Sequence, residues 1–196
     1  MNMIQKINKI IKNQKHGVID SENIFIIDYK NINGGEVEVL DTKPGYSCVH
    51  LSNENRVEVF FVAFKGNALK VKTQEGQVKQ CECVMFPTSL NETDWALFIE
   101  TKYTYSLKIA LDEKVDYPNT MIEQIISTVS YFRDNGILPA EKRVYGIVSF
   151  PTLIENFSEA FFTRSKLTAE EILLKHKVLI RATNDGRIKS QKNIKI

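Results

Sequence analysis

The chain has 196 residues, 43% of them apolar, and a formal net charge of +2. That length fits one domain with a packed core, and the charge balance by itself names no partner. No run reaches the roughly 18 apolar residues of a membrane helix, and Cys48, Cys81 and Cys83 with three scattered histidines fit neither a disulfide framework nor zinc spacing.

In chain order, Ile4, Ile7, Ile10 and Ile11 alternate with lysines and predict a short amphipathic helix over residues 3–13, stopped by His16-Gly17. This is no continuous apolar leader, so the expectation is a reduced protein in the cytoplasm, away from membranes. A strand-rich stretch follows. "NIFIIDY", "EVEVL" (36–40), "SCVHL" (47–51), "RVEVFFVAF" (56–64) and "ALKVK" (68–72) are β-branched or aromatic, and turn chemistries separate them. "VKQCECVMF" (78–86) and "WALFIETKY" (95–103) read as two strands of a hairpin.

After Pro118 the period changes. Thr120 with Glu123 fits a capping box opening a helix that carries Ile122, Ile125, Ile126, Val129 and Phe132, and Asn135-Gly136 stops it. "RVYGIVSF" (143–150) is apolar enough for a central strand. Residues 153–163 are ambiguous, with helix one reading. A helix starts at Thr168, and "VLIRAT" (178–183) reads as a last strand before Asp185-Gly186. The order predicts a mixed α/β (α+β) domain spanning 1–196. It has one central mixed sheet flanked by helices, a strand-rich part over 1–75, a core over 78–150 and a C-terminal helix and strand over 151–196.

Both ends are basic. Lys6, Lys9, Lys12 and Lys15 precede the first acid, and the stretch from Lys175 onward has one acid, Asp185. That suits a polyanion footprint or solvated termini equally.

The chain holds four acid-x-Lys triplets: Asp28/Lys30, Asp41/Lys43, Glu100/Lys102 and Asp112/Lys114. The second and fourth lie in polar loops. Asp28/Lys30 ends an apolar strand and is the rival to Glu100/Lys102. Glu100 and Lys102, two apart on a strand, share a face. They follow a hairpin whose other strand carries Glu82 among apolar residues, where a carboxylate needs a partner or a metal. A register with Glu82 opposite Glu100 brings the carboxylates together. Opposite Ile99, Glu82 points away unless a bulge turns it back. Cys81 and Cys83 read as small core residues on the face away from Glu82. Tyr103 and Tyr105 line a groove or are simply strand aromatics.

An acid on one strand, a hairpin, an apolar strand ending Glu-x-Lys, a helix and a further apolar strand resemble the PD-(D/E)XK nuclease superfamily, over roughly residues 78–150. The matching residues are Glu82, Glu100, Lys102, Gln124 and the strand "YGIVSF". The resemblance implies a restriction-endonuclease-like core and a Mg²⁺- or Mn²⁺-dependent endonuclease acting on nucleic acid, DNA foremost, in restriction or another defence system. It also implies that Glu82 and Glu100 ligate the metal, that Lys102 positions the attacking water and that Gln124 supports the site. A homodimer fits, since cutting both strands takes two sites. Glu82 stands where the family usually has Asp, with Asp94 the alternative first acid. The family's upstream helical Glu has no match in the first helix, and Glu58 is a poor substitute. These departures favour the alternative, a non-catalytic protein that keeps the nuclease-like fold for binding or interaction.

Overall fold

The computed structural model describes residues 3–11, 14–29, 34–66, 68–69, 79–89, 91 and 93–196. The chain is α+β, and its strands divide between two mixed sheets where the sequence suggested one. Sheet A holds β1 (Gln14–Ile19), β5 (Val59–Phe64), β6 (Cys83–Pro87), β7 (Leu97–Thr101), β8 (Val144–Ser149) and β9 (Val178–Ala182), side by side in that order. Sheet B runs β11 (Asn193–Lys195), β10 (Asp185–Ser190), β4 (Val49–Ser52), β2 (Asn23–Ile27), β3 (Glu38–Leu40). In sheet A, β1, β5, β6 and β7 are successively antiparallel, whereas β7, β8 and β9 are parallel.

The helices are α1 (Met3–Ile10), α2 (Leu107–Ala110), α3 (Tyr117–Asp134), α4 (Ser158–Arg164) and α5 (Ala169–His176). They cover one face of sheet A. There Ile7, Ile125, Phe132, Phe161 and Ile172 join Phe60, Phe98, Val148 and Ile180 in one core. Sheet B covers the other face, where Ile24, Ile26, Leu51 and Ile188 meet Phe61, Met85, Leu97 and Ile147. With both faces covered, β5, β6 and β7 are buried at every residue, which explains why their sequences run apolar without alternation.

Several elements differ from the sequence reading. His16 and Gly17 do not stop a helix; they lie inside β1, with Gly17 opposite Phe61. A Cβ at Gly17 would meet Phe61 Cζ at 2.9 Å, so glycine is required here by a close ring and not by a turn. Helix α3 opens three residues before the expected cap. Asp116 is its N-cap, Pro118 sits in the first turn, and the Thr120 hydroxyl donates to Asp116 O instead of capping. The Thr168–Glu171 pair at the start of α5 does form a capping box. Asp185-Gly186 is no terminal turn but the start of β10, which lies parallel to β4. The expected strand over 68–72 has Ala68 and Leu69 outside any strand, and its remaining residues lie outside the described ones.

Candidate functional site

The hairpin β6–β7 sets the register of the site. Cys83 pairs with Ile99 and Val84 with Phe98. The Glu82 N–H bonds that same Ile99, so a bulge-like irregularity and not an even register brings Glu82 toward Glu100. Glu82 sits at a bend just before β6 yet stays in the ladder: its N–H donates to Ile99 O at 3.0 Å and its O accepts from Phe64 N at 3.0 Å. The bend has a second effect. Cys81 packs in the helix-side core and Cys83 between the sheets, so the two cysteines do not share a face as their spacing suggested.

Helix α3 holds the bend. The Gln124 side-chain amide donates to Gln80 O at 2.9 Å, and Cys81 N–H donates to the Thr128 hydroxyl at 2.8 Å. Gln124 therefore fastens the backbone leading into Glu82 and is spent on that contact. Thr128, absent from the sequence reading, shares the task. Its only trace in the sequence is one helical turn of separation from Gln124, which puts both on one side of the helix.

On β7, the Lys102 N–H donates to Ser149 O at 2.9 Å, so pairing with β8 runs on past Thr101 and keeps Glu100 and Lys102 on one face. The Lys102 ammonium hydrogen-bonds Glu100 Oε1 and lies 3.7 Å from Glu82 Oε1. Glu100 is fully buried, whereas the Glu82 and Lys102 side chains keep 20% and 25% exposure, so the cluster opens to solvent on their side. Glu100 Oε2 is buried without a hydrogen-bond partner.

A third carboxylate joins them. Asp28, just past β2 of sheet B, is in hydrogen-bonding contact with Glu82 and feels the Lys102 charge. The two strand-ending triplets that compete in the sequence thus meet in space. Lys30, the partner in the rival triplet, lies outside the described residues. An acid closing the apolar run "IFII" was the one available hint of Asp28, and local spacing carries no information about contacts between sheets. Asp94 and Glu58 stay out of the cluster. Asp94 Oδ2 accepts from Ser89 Oγ at 2.7 Å and Asn91 N at 2.8 Å within the hairpin loop, and Glu58 is exposed and bonded to Thr88.

The electrostatics follow from three acids sharing one ammonium. Burial pushes the Glu100 carboxyl up to about 7, with Lys102 pulling it back and Asp28 adding to the rise. Burial also lifts Glu82 well above the ordinary carboxylate range, reinforced by Glu100 and Asp28 and opposed by Lys102. Asp28 rises by burial against the pull of Glu82 and Lys102. For Lys102, burial opposes the charge, but Glu100, Glu82 and Asp28 outweigh it and hold the ammonium protonated. The cluster is short of positive charge, and one buried oxygen is unsatisfied.

Such a set fits a hard divalent cation of the Mg²⁺ type, which binds through one or two carboxylates and keeps several waters. Among the described residues, no group of three or more His, Cys, Asp or Glu side chains is placed to hold a metal ion, so a cation here would rest on two carboxylates and water. No family model matches the chain, and no curated protein or solved structure matches it either. Among the described residues, no helix is long and apolar enough to cross a membrane.

Proposed function

We propose that the protein is a metal-dependent nuclease that hydrolyses phosphodiester bonds in nucleic acid, DNA foremost. The observation that carries this reading is the closing of Glu82 and Glu100 on one ammonium, Lys102, with Glu100 Oε2 left unpartnered at its centre. The order of elements supports it. The antiparallel run β5–β6–β7, then α3, then β8 parallel to β7 is the sequence of parts that the PD-(D/E)XK resemblance implies.

In this reading Glu82 and Glu100 hold Mg²⁺ or Mn²⁺, with Asp28 bearing on Glu82 from the other sheet. A bound cation supplies Lewis-acid polarisation of the phosphate and lowers the pKa of a water. The chain's own residues do the rest. Lys102 places a permanent positive charge at the solvent-open side of the cluster, where it orients the attacking water and offsets the charge gathering on the phosphate. Glu100, walled in by the helix-side core, fixes the ammonium from behind. Gln124 and Thr128 hold the peptide of Glu82 in place, a positioning task.

The second reading, a non-catalytic binding protein on a nuclease-like fold, draws on the same geometry. The ammonium already lies against both carboxylates, and no group of three or more His, Cys, Asp or Glu side chains among the described residues is placed to hold a metal ion. Calorimetry with Mn²⁺ on the wild type and Glu100→Ala, followed by cleavage of plasmid, single-stranded DNA and RNA with Lys102→Ala as control, decides between them. Binding that needs Glu100 and cleavage that needs Lys102 support the nuclease. Wild-type protein that neither binds Mn²⁺, alone or with DNA, nor cuts leaves the binding module.

A further inference from the structure

A cleft of about 870 Å³ lies beside the carboxylate cluster and serves none of the roles above. Three of its lining residues, Phe25, Tyr46 and His50, carry rings. His50 stacks on Phe25 with ring centroids 5.0 Å apart and planes 18° from parallel. Both imidazole nitrogens are engaged, Nε2 with Asn23 Oδ1 at 2.9 Å and Nδ1 near Asp185 Oδ1 at 3.5 Å, so the ring cannot rotate away. Tyr46, 44% exposed, adds a second ring on the wall. Lys43, also on the wall, makes no ion pair among the described residues.

Two links tie this cleft to the cluster. The Tyr103 hydroxyl, one residue beyond Lys102, donates to Ser47 O on the cleft wall at 3.2 Å. Ser149, whose O takes the Lys102 N–H, donates its hydroxyl to Asn184 Oδ1 at 2.6 Å, and Asn184 also lines the cleft. The cleft and the carboxylates therefore share one rim, at the C-terminal ends of β7 and β8.

We infer that this cleft takes an unpaired nucleobase of the substrate strand, next to the phosphate held at Lys102; the inference rests on the nuclease reading. Rings that offer a face suit a base, because every base has a π-face to stack. The exposed Asp185 carboxylate disfavours a phosphate in the depth of the cleft and suits the exocyclic amino group of a base, which donates to it. Lys43 meets the adjoining backbone phosphate. The substrate class that follows is a single strand, or a duplex end frayed enough to release a base.

The test is fluorescence anisotropy of a labelled 12-nucleotide single-stranded DNA, its RNA counterpart and the matching duplex, in EDTA so that no cleavage intervenes. The proteins are the wild type, Tyr46→Ala, Lys43→Ala and Glu100→Gln, each checked by thermal melting. The expected result is tighter binding of single strands than of duplex, with Tyr46→Ala weakening single-strand binding by about fivefold to a hundredfold. DNA and RNA arms that agree point to the base itself, and arms that differ add a contact to the sugar. Wild-type affinity in both cleft variants, or no single-strand binding by the wild type, overturns the inference. The cleavage assay with Lys102→Ala reads the nuclease proposal separately. A protein that cuts but binds independently of Tyr46 and Lys43 sinks only the cleft, and one that binds through them without cutting sinks only the catalysis.

Discussion

The carboxyl groups of Asp28 and Glu82 are in hydrogen-bonding contact, although the segments that carry them belong to different sheets. That contact brings a third acid to bear on the hairpin's pair, although no three acids among the described residues are placed to hold a metal ion together. Asp28→Asn is expected to weaken Mn²⁺ binding by roughly tenfold, an effect typical of groups that orient a metal ligand. Glu100→Ala is expected to abolish it. Calorimetric titration of both variants checks this, and an Asp28→Asn variant with wild-type affinity removes Asp28 from the site.

Stability in the absence of metal falls as pH rises through the neutral range. The Glu100 carboxyl ionises near its ordinary value, 4.5, when unfolded and at about 7 when folded. Between those values the folded state holds the extra proton, so raising the pH favours unfolding. The loss from this one group is about 3 kcal/mol, and the raised Glu82 and Asp28 act in the same direction. Melting temperature in EDTA is expected to drop from pH 5 to pH 8, with a flatter profile for Glu100→Gln. Saturating Mn²⁺ is expected to restore most of the loss at pH 8, because the cation takes the place of the protons.

Lys102→Met removes the single ammonium from beside a fully buried carboxylate. Breaking such a pair costs roughly 3–5 kcal/mol, less whatever the acid recovers by taking up a proton. The double variant Lys102→Met/Glu100→Gln is expected to regain part of that, since the fully buried carboxylate is gone while Glu82 and Asp28 still lack the ammonium. Urea denaturation of the two variants at pH 8 distinguishes this from simple loss of packing, which the double variant would not repair.

Thr128→Val keeps the shape of the helix face and removes the acceptor for the buried Cys81 N–H. The cost is about 1–3 kcal/mol. A drop in Mn²⁺ affinity is expected as well, because Gln124 alone then fixes the bend before Glu82. If stability falls while metal affinity stays unchanged, the tether is structural and nothing more.

The hairpin and its Glu-x-Lys end were legible because strand alternation and register are local properties, and Glu82, Glu100 and Lys102 all lie within one such unit. The second sheet was not. Whether β4 lies beside β5 or beside β10 depends on pairing between residues far apart in the chain, which neither "VHLS" nor "VFFVAF" carries in its own sequence. The same limit hid Asp28 and the cleft floor. Gln124 was found in the right helix, but its partner Gln80 O was not legible, since helical spacing says which side a residue faces and not which acceptor it meets. The helix expected near the start does form, over Met3–Ile10, but its expected stop at His16-Gly17 failed for a related reason: Gly17 lies in β1 against a ring from β5, and no turn uses it.

Asp28 reaches the carboxylates by a route through three strands. It follows β2, β2 is held by β4, and β4 is held by β10. The same β10 brings Asp185 to His50, so any change in how sheet B pairs is felt at the carboxylates and at the cleft together.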